Sequence, residues 1–175
     1  MQMPQSRTAM ALINEMAARH PEREALIDGE RRYSWGEFQG RVRDLAKGLH
    51  AAGIRRGDKV AILMGNRAEW LIADFAIMAL GGVMVAANTW ATARELGYQL
   101  SHSECRLLIM SATYLKRDYV ALIEEARGNR LLPGFGEFPI KEAMRSLPAS
   151  VPIGAEVPRP SCSASSDLSA CSEIY

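Results

Sequence analysis

Three short apolar segments, each followed by a helix-like pattern, most constrain what this chain can fold into. They cover residues 59–64 (KVAILM), 83–87 (VMVAA) and 106–110 (RLLIM). Runs this short and this apolar are typical of strands that are covered on both faces. Strands that alternate with helices form a parallel sheet with right-handed crossovers and helices on its faces. The sequence therefore predicts an α/β fold whose sheet is mostly parallel.

The helix starts are marked by a capping residue that is followed three positions later by glutamate. The pairs are Ser34 with Glu37, Asn66 with Glu69, and Thr92 with Glu95. In such a capping box each side chain bonds the backbone of the other residue. The helices that follow are expected to end near Gly53, Leu80 and His102.

Three more elements are predicted outside this alternation. An amphipathic helix over residues 8–20 has its apolar side chains on one face and stops at Pro21. A short hairpin follows, with its turn at Asp28-Gly29-Glu30, where the glycine can adopt a positive φ. A last helix is predicted over residues 113–126.

The regular pattern ends near residue 126, which divides the chain into two parts. Residues 1–126 form the predicted folded part, and residues 127–175 are poorly patterned. Within the second part, residues 151–175 hold six serines, three prolines and no apolar run longer than two residues. Such a stretch buries too little apolar area to offset the entropy lost on ordering, so we expect a disordered tail.

Charge and cysteine content exclude several function classes. The formal net charge is +1, which provides no general attraction for nucleic acid or for an anionic membrane. The three cysteines, Cys105, Cys162 and Cys171, are an odd number without CxxC spacing. They indicate neither a zinc site nor a disulfide framework, and a reducing cytoplasm is the expected compartment.

No membrane-directed segment is expected. The first 24 residues lack a long apolar region and carry acidic residues early, so we identify no signal peptide. Residues 71–87 are apolar except for Asp74, but they are at the short limit for a membrane span and Gly81-Gly82 divides them. A buried helix followed by a buried strand explains them without placing a carboxylate in lipid.

Candidate site residues come directly after the strands, since a parallel sheet binds ligands at the carboxyl ends of its strands. Gly65-Asn66-Arg67 follows the first strand, where a helix N-terminus beside Arg67 could hold a phosphate. Capping by Asn66 explains the same residues without a ligand. Trp90 follows the second strand, where its indole could stack on an acyl chain or an adenine, or pack against the protein.

Cys105 and His102 are close in sequence and were considered as a nucleophile and its base. They straddle a helix-to-strand turn, and no carboxylate is evidently placed to orient the histidine, so we reject this pair. No other combination of residue type and spacing makes an active site. We therefore assign no catalytic, cofactor-binding or metal-binding residue from the sequence.

Three segments resemble the N-terminal region of a known enzyme family. Residues 33–38 (YSWGEF), 57–66 (GDKVAILMGN) and 79–88 (ALGGVMVAAN) are similar, in the same order, to motifs of the adenylate-forming enzymes. This family is the AMP-dependent acyl-CoA synthetase and ligase superfamily. Two positions depart from the motifs: Ala86 stands where proline is common, and Gly82 stands where alanine is common.

The resemblance implies a two-step ligase. A carboxylate attacks ATP to give an acyl-adenylate and pyrophosphate, and the thiol of coenzyme A (CoA) then displaces AMP. ATP, Mg²⁺ and CoA are implied for the full-length family, with a fatty or aromatic carboxylic acid as substrate. The family's phosphate loop, adenine-binding segment, ribose-binding aspartate and late lysine have no counterpart in this sequence. No catalytic residue is therefore carried over, and we expect none of these ligands to bind tightly to this chain.

Our first hypothesis is that the chain is an incomplete N-terminal subdomain of such a ligase and is inactive alone. The change of pattern near residue 126 fits a truncated or frame-shifted product and also a genuine divergent segment, and both remain open. One alternative is a non-catalytic α/β module that binds a nucleotide or an acyl ligand at Asn66 and Trp90. Another is an interaction fragment whose exposed sheet edge pairs with another chain or with itself.

Overall fold

A parallel sheet of three strands forms the centre of the structure, a computed structural model that describes residues 7–128. In chain order the elements are α1 (Ala9–Arg19), β1 (Glu24–Asp28), β2 (Arg31–Ser34), α2 (Trp35–Ala51), β3 (Lys59–Leu63), α3 (Ala68–Ala79), β4 (Val83–Ala86), α4 (Ala93–His102), β5 (Leu107–Met110), β6 (Thr113–Tyr114), β7 (Arg117–Asp118) and α5 (Tyr119–Gly128). The strand order is β4-β3-β5, and β3 pairs with both neighbours in parallel. The predicted α/β fold with a parallel sheet is confirmed.

The central strand β3 separates two apolar layers. Val60 and Ile62 face a cluster that includes α1, α2 and α3, whereas Ala61 and Leu63 face a second cluster that includes α4 and α5. All four side chains are 0% exposed. Successive side chains of a strand point to opposite faces, so one strand anchors both layers. Full burial of a Val, Ile or Leu side chain stabilises a fold by about 1.5–3 kcal/mol, which makes β3 a major source of stability.

Two of the three predicted capping boxes are present. At α2 the Glu37 N–H donates to Ser34 Oγ at 3.2 Å, and the Ser34 N–H donates to the Glu37 carboxylate at 2.9 Å. Thr92 and Glu95 make the same pair of hydrogen bonds at α4, at 3.3 and 2.8 Å. Each box satisfies backbone donors that the first turn of a helix cannot satisfy itself.

The third predicted box, Asn66 with Glu69, is wrong. α3 begins at Ala68, its cap residue is Arg67, and no side-chain hydrogen bond from Arg67 closes the cap. Instead, the carboxylate of Asp28 at the end of β1 accepts the N–H of Ala68 at 3.1 Å. The cap is therefore supplied by a residue that is distant in sequence, which local spacing does not reveal.

The predicted last helix is wrong over its first six residues. Residues 113–118 form a hairpin of β6 and β7, and α5 begins only at Tyr119. The turn residues Leu115 and Lys116 have φ values of 45° and 65°. This left-handed conformation is usually signalled by glycine or asparagine, and the sequence has neither at the turn.

The prediction that all three strands are covered on both faces is wrong for β4, whose side chains are all exposed or only partly buried. Val83 is 49% exposed, whereas every side chain of β5 is buried. The predicted first hairpin is confirmed, because β1 and β2 pair antiparallel and Gly29 in their turn has a φ of 61°.

The predicted division near residue 126 falls in the last turn of α5, which runs to Gly128. Apart from residues 127 and 128, the predicted disordered tail lies outside the described residues. Within those residues, no helix combines the length and the apolar character that a membrane crossing requires. The apolar stretch 71–87 contains the end of α3, a glycine turn and β4, as expected.

Candidate functional site

The carboxyl ends of β3, β4 and β5 lie at one edge of the sheet, where ligands of such folds bind. The segments that follow them cover residues 64–67, 87–92 and 111–118. The predicted residues Asn66 and Trp90 follow neighbouring strands, and both are exposed. This edge is therefore the candidate site.

The N-terminus of α3 is occupied by a cluster of the protein's own charges, which we call the four-charge network: Asp28, Arg31, Arg67 and Glu69. Glu69 is only 2% exposed, and its two carboxylate oxygens accept hydrogen bonds from Arg31 Nη1 at 2.8 Å and from Arg67 Nε at 2.5 Å. Arg31 also bonds Asp28, whose carboxylate caps Ala68. Carboxylates of the protein itself therefore already bind the helix terminus and Arg67. These are the groups that the sequence suggested as a phosphate site.

The surroundings of Glu69 keep it ionised. Burial by itself would raise the pKa of this carboxyl, but the hydrogen bonds from Arg67 and Arg31 outweigh burial and lower the pKa to about 2. The same hydrogen bonds raise the pKa of both arginine side chains. The four-charge network therefore joins the first hairpin to α3 through a fully ionised, buried carboxylate.

Gly65 is required by the close approach of an aromatic ring. A Cβ atom at this position would lie 2.1 Å from Cε2 of Tyr114, far inside any allowed contact. The Tyr114 ring, carried by the β6–β7 hairpin, therefore covers the carboxyl end of β3. This contact is not predicted from the sequence, because the expected helix over residues 113–126 includes Tyr114.

Trp90 is 64% exposed, so the interpretation of its indole as core packing is wrong. The guanidinium carbon of Arg117 lies 6.0 Å from the centre of the indole ring, at the outer limit of a cation–π contact. Arg117 also donates to the carbonyl of Ala91, and the Tyr119 hydroxyl donates to the carbonyl of Thr89 at 3.1 Å. These bonds fix the backbone of residues 88–92 while the indole faces outward.

Cys105 and His102 are not arranged as a nucleophile and base. Cys105 is buried, and burial raises the pKa of its thiol, which disfavours the reactive thiolate. Its sulfur lies 3.0 Å from Ser103 Oγ. The imidazole of His102 instead stacks on the ring of Tyr98, with the ring centres 5.3 Å apart. The rejection of this pair agrees with the geometry.

A metal centre was sought among the charged and polar side chains that the structure describes. Within residues 7–128 no three His, Cys, Asp or Glu side chains converge so that they could hold a metal ion. An open groove does lie beside the start of α2, away from the strand ends. Its charged lining is explained by internal pairs, since Arg32 bonds Glu24 at 2.5 Å and Ser34 shares a capping box with Glu37. We assign no ligand to it.

Comparisons with known proteins give a consistent result. The family described as AMP-binding enzyme matches residues 13–149. The putative acyl-CoA synthetase YngI of Bacillus subtilis is 36% identical over 128 residues, which is 72% of this chain and 22% of that protein. The match to the family continues past residue 126, where the sequence pattern changes.

Two solved structures share the fold. One is the anthranilate CoA ligase AuaEII in complex with anthranoyl-AMP, with a TM-score of 0.64 and 26% identity over 75% of this chain and 24% of that one. The other is the N-terminal subdomain of Klebsiella oxytoca NpsA in complex with anthranilyl-AMSN, with a TM-score of 0.57 and 32% identity over 61% of this chain and 28% of that one. The chain thus spans about a quarter of these structures and about a fifth of the curated relative.

Loss of the buried carboxylate should lower stability in a pH-dependent way. We expect Glu69→Gln to reduce the free energy of unfolding by about 1–3 kcal/mol at neutral pH, because Arg31 and Arg67 lose a charged acceptor. The lowered pKa of about 2, against an ordinary 4.5, means that the carboxylate stabilises the native protein above pH 4.5 and loses this effect as the pH falls toward 2. Urea unfolding at a series of pH values measures both the loss of stability in the variant and its dependence on pH.

Glu24→Gln is the matched control for that experiment. Its carboxylate pairs with Arg32 at 2.5 Å, but both side chains are largely exposed. Exposed pairs contribute about 0–1 kcal/mol, so this variant should change stability little. Equal losses in the two variants would contradict the assigned role of Glu69.

The contact between Gly65 and Tyr114 can be tested by a double-mutant cycle. Gly65→Ala should cost about 1–3 kcal/mol, because the new methyl group overlaps the Tyr114 ring. In a Tyr114→Ala background the same change should cost much less. Gly40→Ala in α2, where a Cβ meets open space, is the control and should be neutral or stabilising. An undiminished cost in the double variant would show that Tyr114 does not cover Gly65.

Proposed function

The chain belongs to the family of AMP-binding enzymes, and from this premise we propose that it is the N-terminal part of an ATP-dependent, AMP-forming carboxylate–CoA ligase. The observation that carries the proposal is the continuous match of residues 13–149 to this family. The order of the three family-like segments supports it, and two of these segments contain the paired parallel strands β3 and β4. The relative named above is a putative acyl-CoA synthetase, and one of the two structural neighbours is a CoA ligase.

The proposed reaction joins a carboxylic acid to CoA through an acyl-adenylate. ATP and CoA are the proposed cosubstrates, and Mg²⁺ would stabilise the charge on the reacting phosphates when bound. In this proposal the described residues contribute a scaffold for the site. The four-charge network and Arg117 fix the segments that follow the strands. In the proposed enzyme these segments would support a ligand bound at this edge of the sheet.

The proposed substrate is a fatty or aromatic carboxylic acid. The aromatic option is supported by anthranoyl-AMP and anthranilyl-AMSN in the two solved structures. The aliphatic option, which implies a role in fatty acid metabolism, is supported by the acyl-CoA synthetase relative. We also propose a cytoplasmic location, since the cysteines show no disulfide pattern and Cys105 is a buried free thiol.

We expect the isolated chain to be inactive, because its sequence has no counterpart of the family's phosphate loop, adenine-binding segment, ribose-binding aspartate and late lysine. The measurement is carboxylate-dependent exchange of pyrophosphate into ATP, with short and medium fatty acids and with benzoate and anthranilate as substrates. Exchange above background would contradict the proposed inactivity, and it would leave the family assignment intact.

A chimera tests the ligase proposal itself. Residues 13–126 replace the corresponding segment of YngI, and the chimera should retain adenylation activity, because it regains the missing motifs. A chimera in which the same segment carries Gly65→Ala is the matched control and should be less stable and less active. A folded chimera without activity toward any acid that YngI itself uses would contradict the proposal.

The exposed indole of Trp90 favours a second candidate function, a non-catalytic module that binds a nucleotide or an acyl ligand. Aromatic faces that are open to solvent stack well on planar ligands, and Arg117 adds a positive charge beside the ring. Asn66 is also exposed at the neighbouring strand end. In this alternative the chain binds its ligand without a reaction.

Calorimetric titration with ATP, AMP and CoA tests this alternative. Micromolar binding is expected, and Trp90→Ala should weaken it by about five- to 150-fold, because stacking contributes about 1–3 kcal/mol. Tyr98→Ala is the control, because Tyr98 is similarly exposed at 68% but lies on α4, where its ring stacks on His102. Absence of binding, or equal weakening by both variants, would contradict the binding module.

A further inference from the structure

Among residues 7–128, no strand pairs with the outer edge of β4. The N–H groups of Val83 and Ala87 donate to the carbonyls of Asp58 at 2.8 Å and Ile62 at 2.9 Å, on the side of β3. Backbone groups alternate in direction along a strand, so the groups of Met84 and Ala86 point away from β3. The Gln99 side chain donates to the Ala86 carbonyl at 2.9 Å, which agrees with this outward direction.

This edge lacks the usual protection of an edge strand. Native edges are shielded by charged side chains, proline or bulges. Residues 83–86 are apolar and contain no proline, and their pairing with β3 is regular. Proline, which is common at the position of Ala86 in the family-like motif, would remove an outward N–H.

We propose that the outer edge of β4 is a dimerisation surface on which a second copy of this chain adds its own β4, antiparallel and related by a two-fold axis. With the axis at Val85, Met84 of one copy lies opposite Ala86 of the other, and each such pair exchanges both of its hydrogen bonds. The sequence of the edge is therefore complementary to itself, as a two-fold interface requires.

The two edges are also compatible in charge and in hydrogen bonding. β4 has no charged side chain, so no repulsion between like charges on the two strands opposes their pairing. The Ala86 carbonyl has two lone pairs, so its bond from Gln99 can persist beside a bond from the second copy. Because a pair of four-residue strands is smaller than a standard interface, we expect weak, micromolar association.

Sedimentation velocity of the full chain over a range of concentrations tests the proposal. The wild-type chain is expected to show a reversible monomer–dimer equilibrium. Ala86→Pro removes one outward N–H per copy and should weaken association by about tenfold or more, while the bonds to β3 remain. Circular dichroism and thermal melting check that the variant is folded.

A second pair of variants keeps the test valid if Ala86→Pro does not fold. Val83→Lys places a charge at the edge of β4 and should abolish the dimer, because the two lysines are buried beside an apolar partner strand. Ile27→Lys is the matched control, since Ile27 is 50% exposed but lies on β1. This control should still dimerise.

Cross-linking tests the register. In the proposed pairing the two Val85 Cα atoms lie directly opposite each other, at the roughly 4.5 Å of a non-hydrogen-bonded pair, within reach of a disulfide. In a background of Cys162→Ser and Cys171→Ser, Val85→Cys should form an intermolecular disulfide under mild oxidation. Val83→Cys, which faces Ala87 of the second copy, should form much less.

Several results would overturn the proposal. One is a wild-type chain that stays monomeric up to the highest soluble concentration. If such a monomer also protects the Met84 and Ala86 amides from hydrogen exchange, the chain covers the edge with its own residues instead. Larger assemblies that do not respond to Ala86→Pro, or equal cross-linking at residues 83 and 85, would also contradict it.

Discussion

Both faces of β3 must be covered by apolar side chains, and the rest of the described fold depends on this constraint. Val60 and Ile62 require the layer of α1, α2 and α3, while Ala61 and Leu63 require the layer of α4 and α5. Among the described helices none belongs to both layers, so the sheet joins them into one core, with β3 at its centre and β5 also contributing side chains to both layers. Double coverage of a parallel strand is what βαβ connections provide, which explains why a helix separates each strand of the sheet from the next.

The sequence predicted the elements whose signals are local. The capping boxes of α2 and α4 were correct because Ser34 and Thr92 each meet a glutamate one turn away. The same spacing gave a wrong prediction at α3, because the buried carboxylate of Glu69 binds two guanidinium groups. A buried carboxylate gains more from charged partners than from a backbone amide, so the tertiary contact prevails over the local one.

The location of the candidate site could be predicted, but its chemistry could not. Strand ends follow from the apolar runs, and they correctly placed Asn66 and Trp90 at one edge of the sheet. The contacts that shape the surface of this edge join residues that are far apart in sequence. They are Gly65 with Tyr114, and Trp90 with Arg117. Both contacts depend on the β6–β7 hairpin. Its turn residues, Leu115 and Lys116, adopt the left-handed conformation, and without a glycine or asparagine there the sequence does not predict the turn.

The strand order has a consequence for synthesis on the ribosome. Chains emerge from their N-terminus, so residues 9–51, with α1 and α2, are exposed before β3 exists to cover their apolar faces. Both pairing partners of β3 are synthesised after it, and the connection from β4 to β5, which includes α4, crosses β3. The residues of the layer of α1, α2 and α3 are therefore synthesised before those of the layer of α4 and α5, which covers the opposite face of β3.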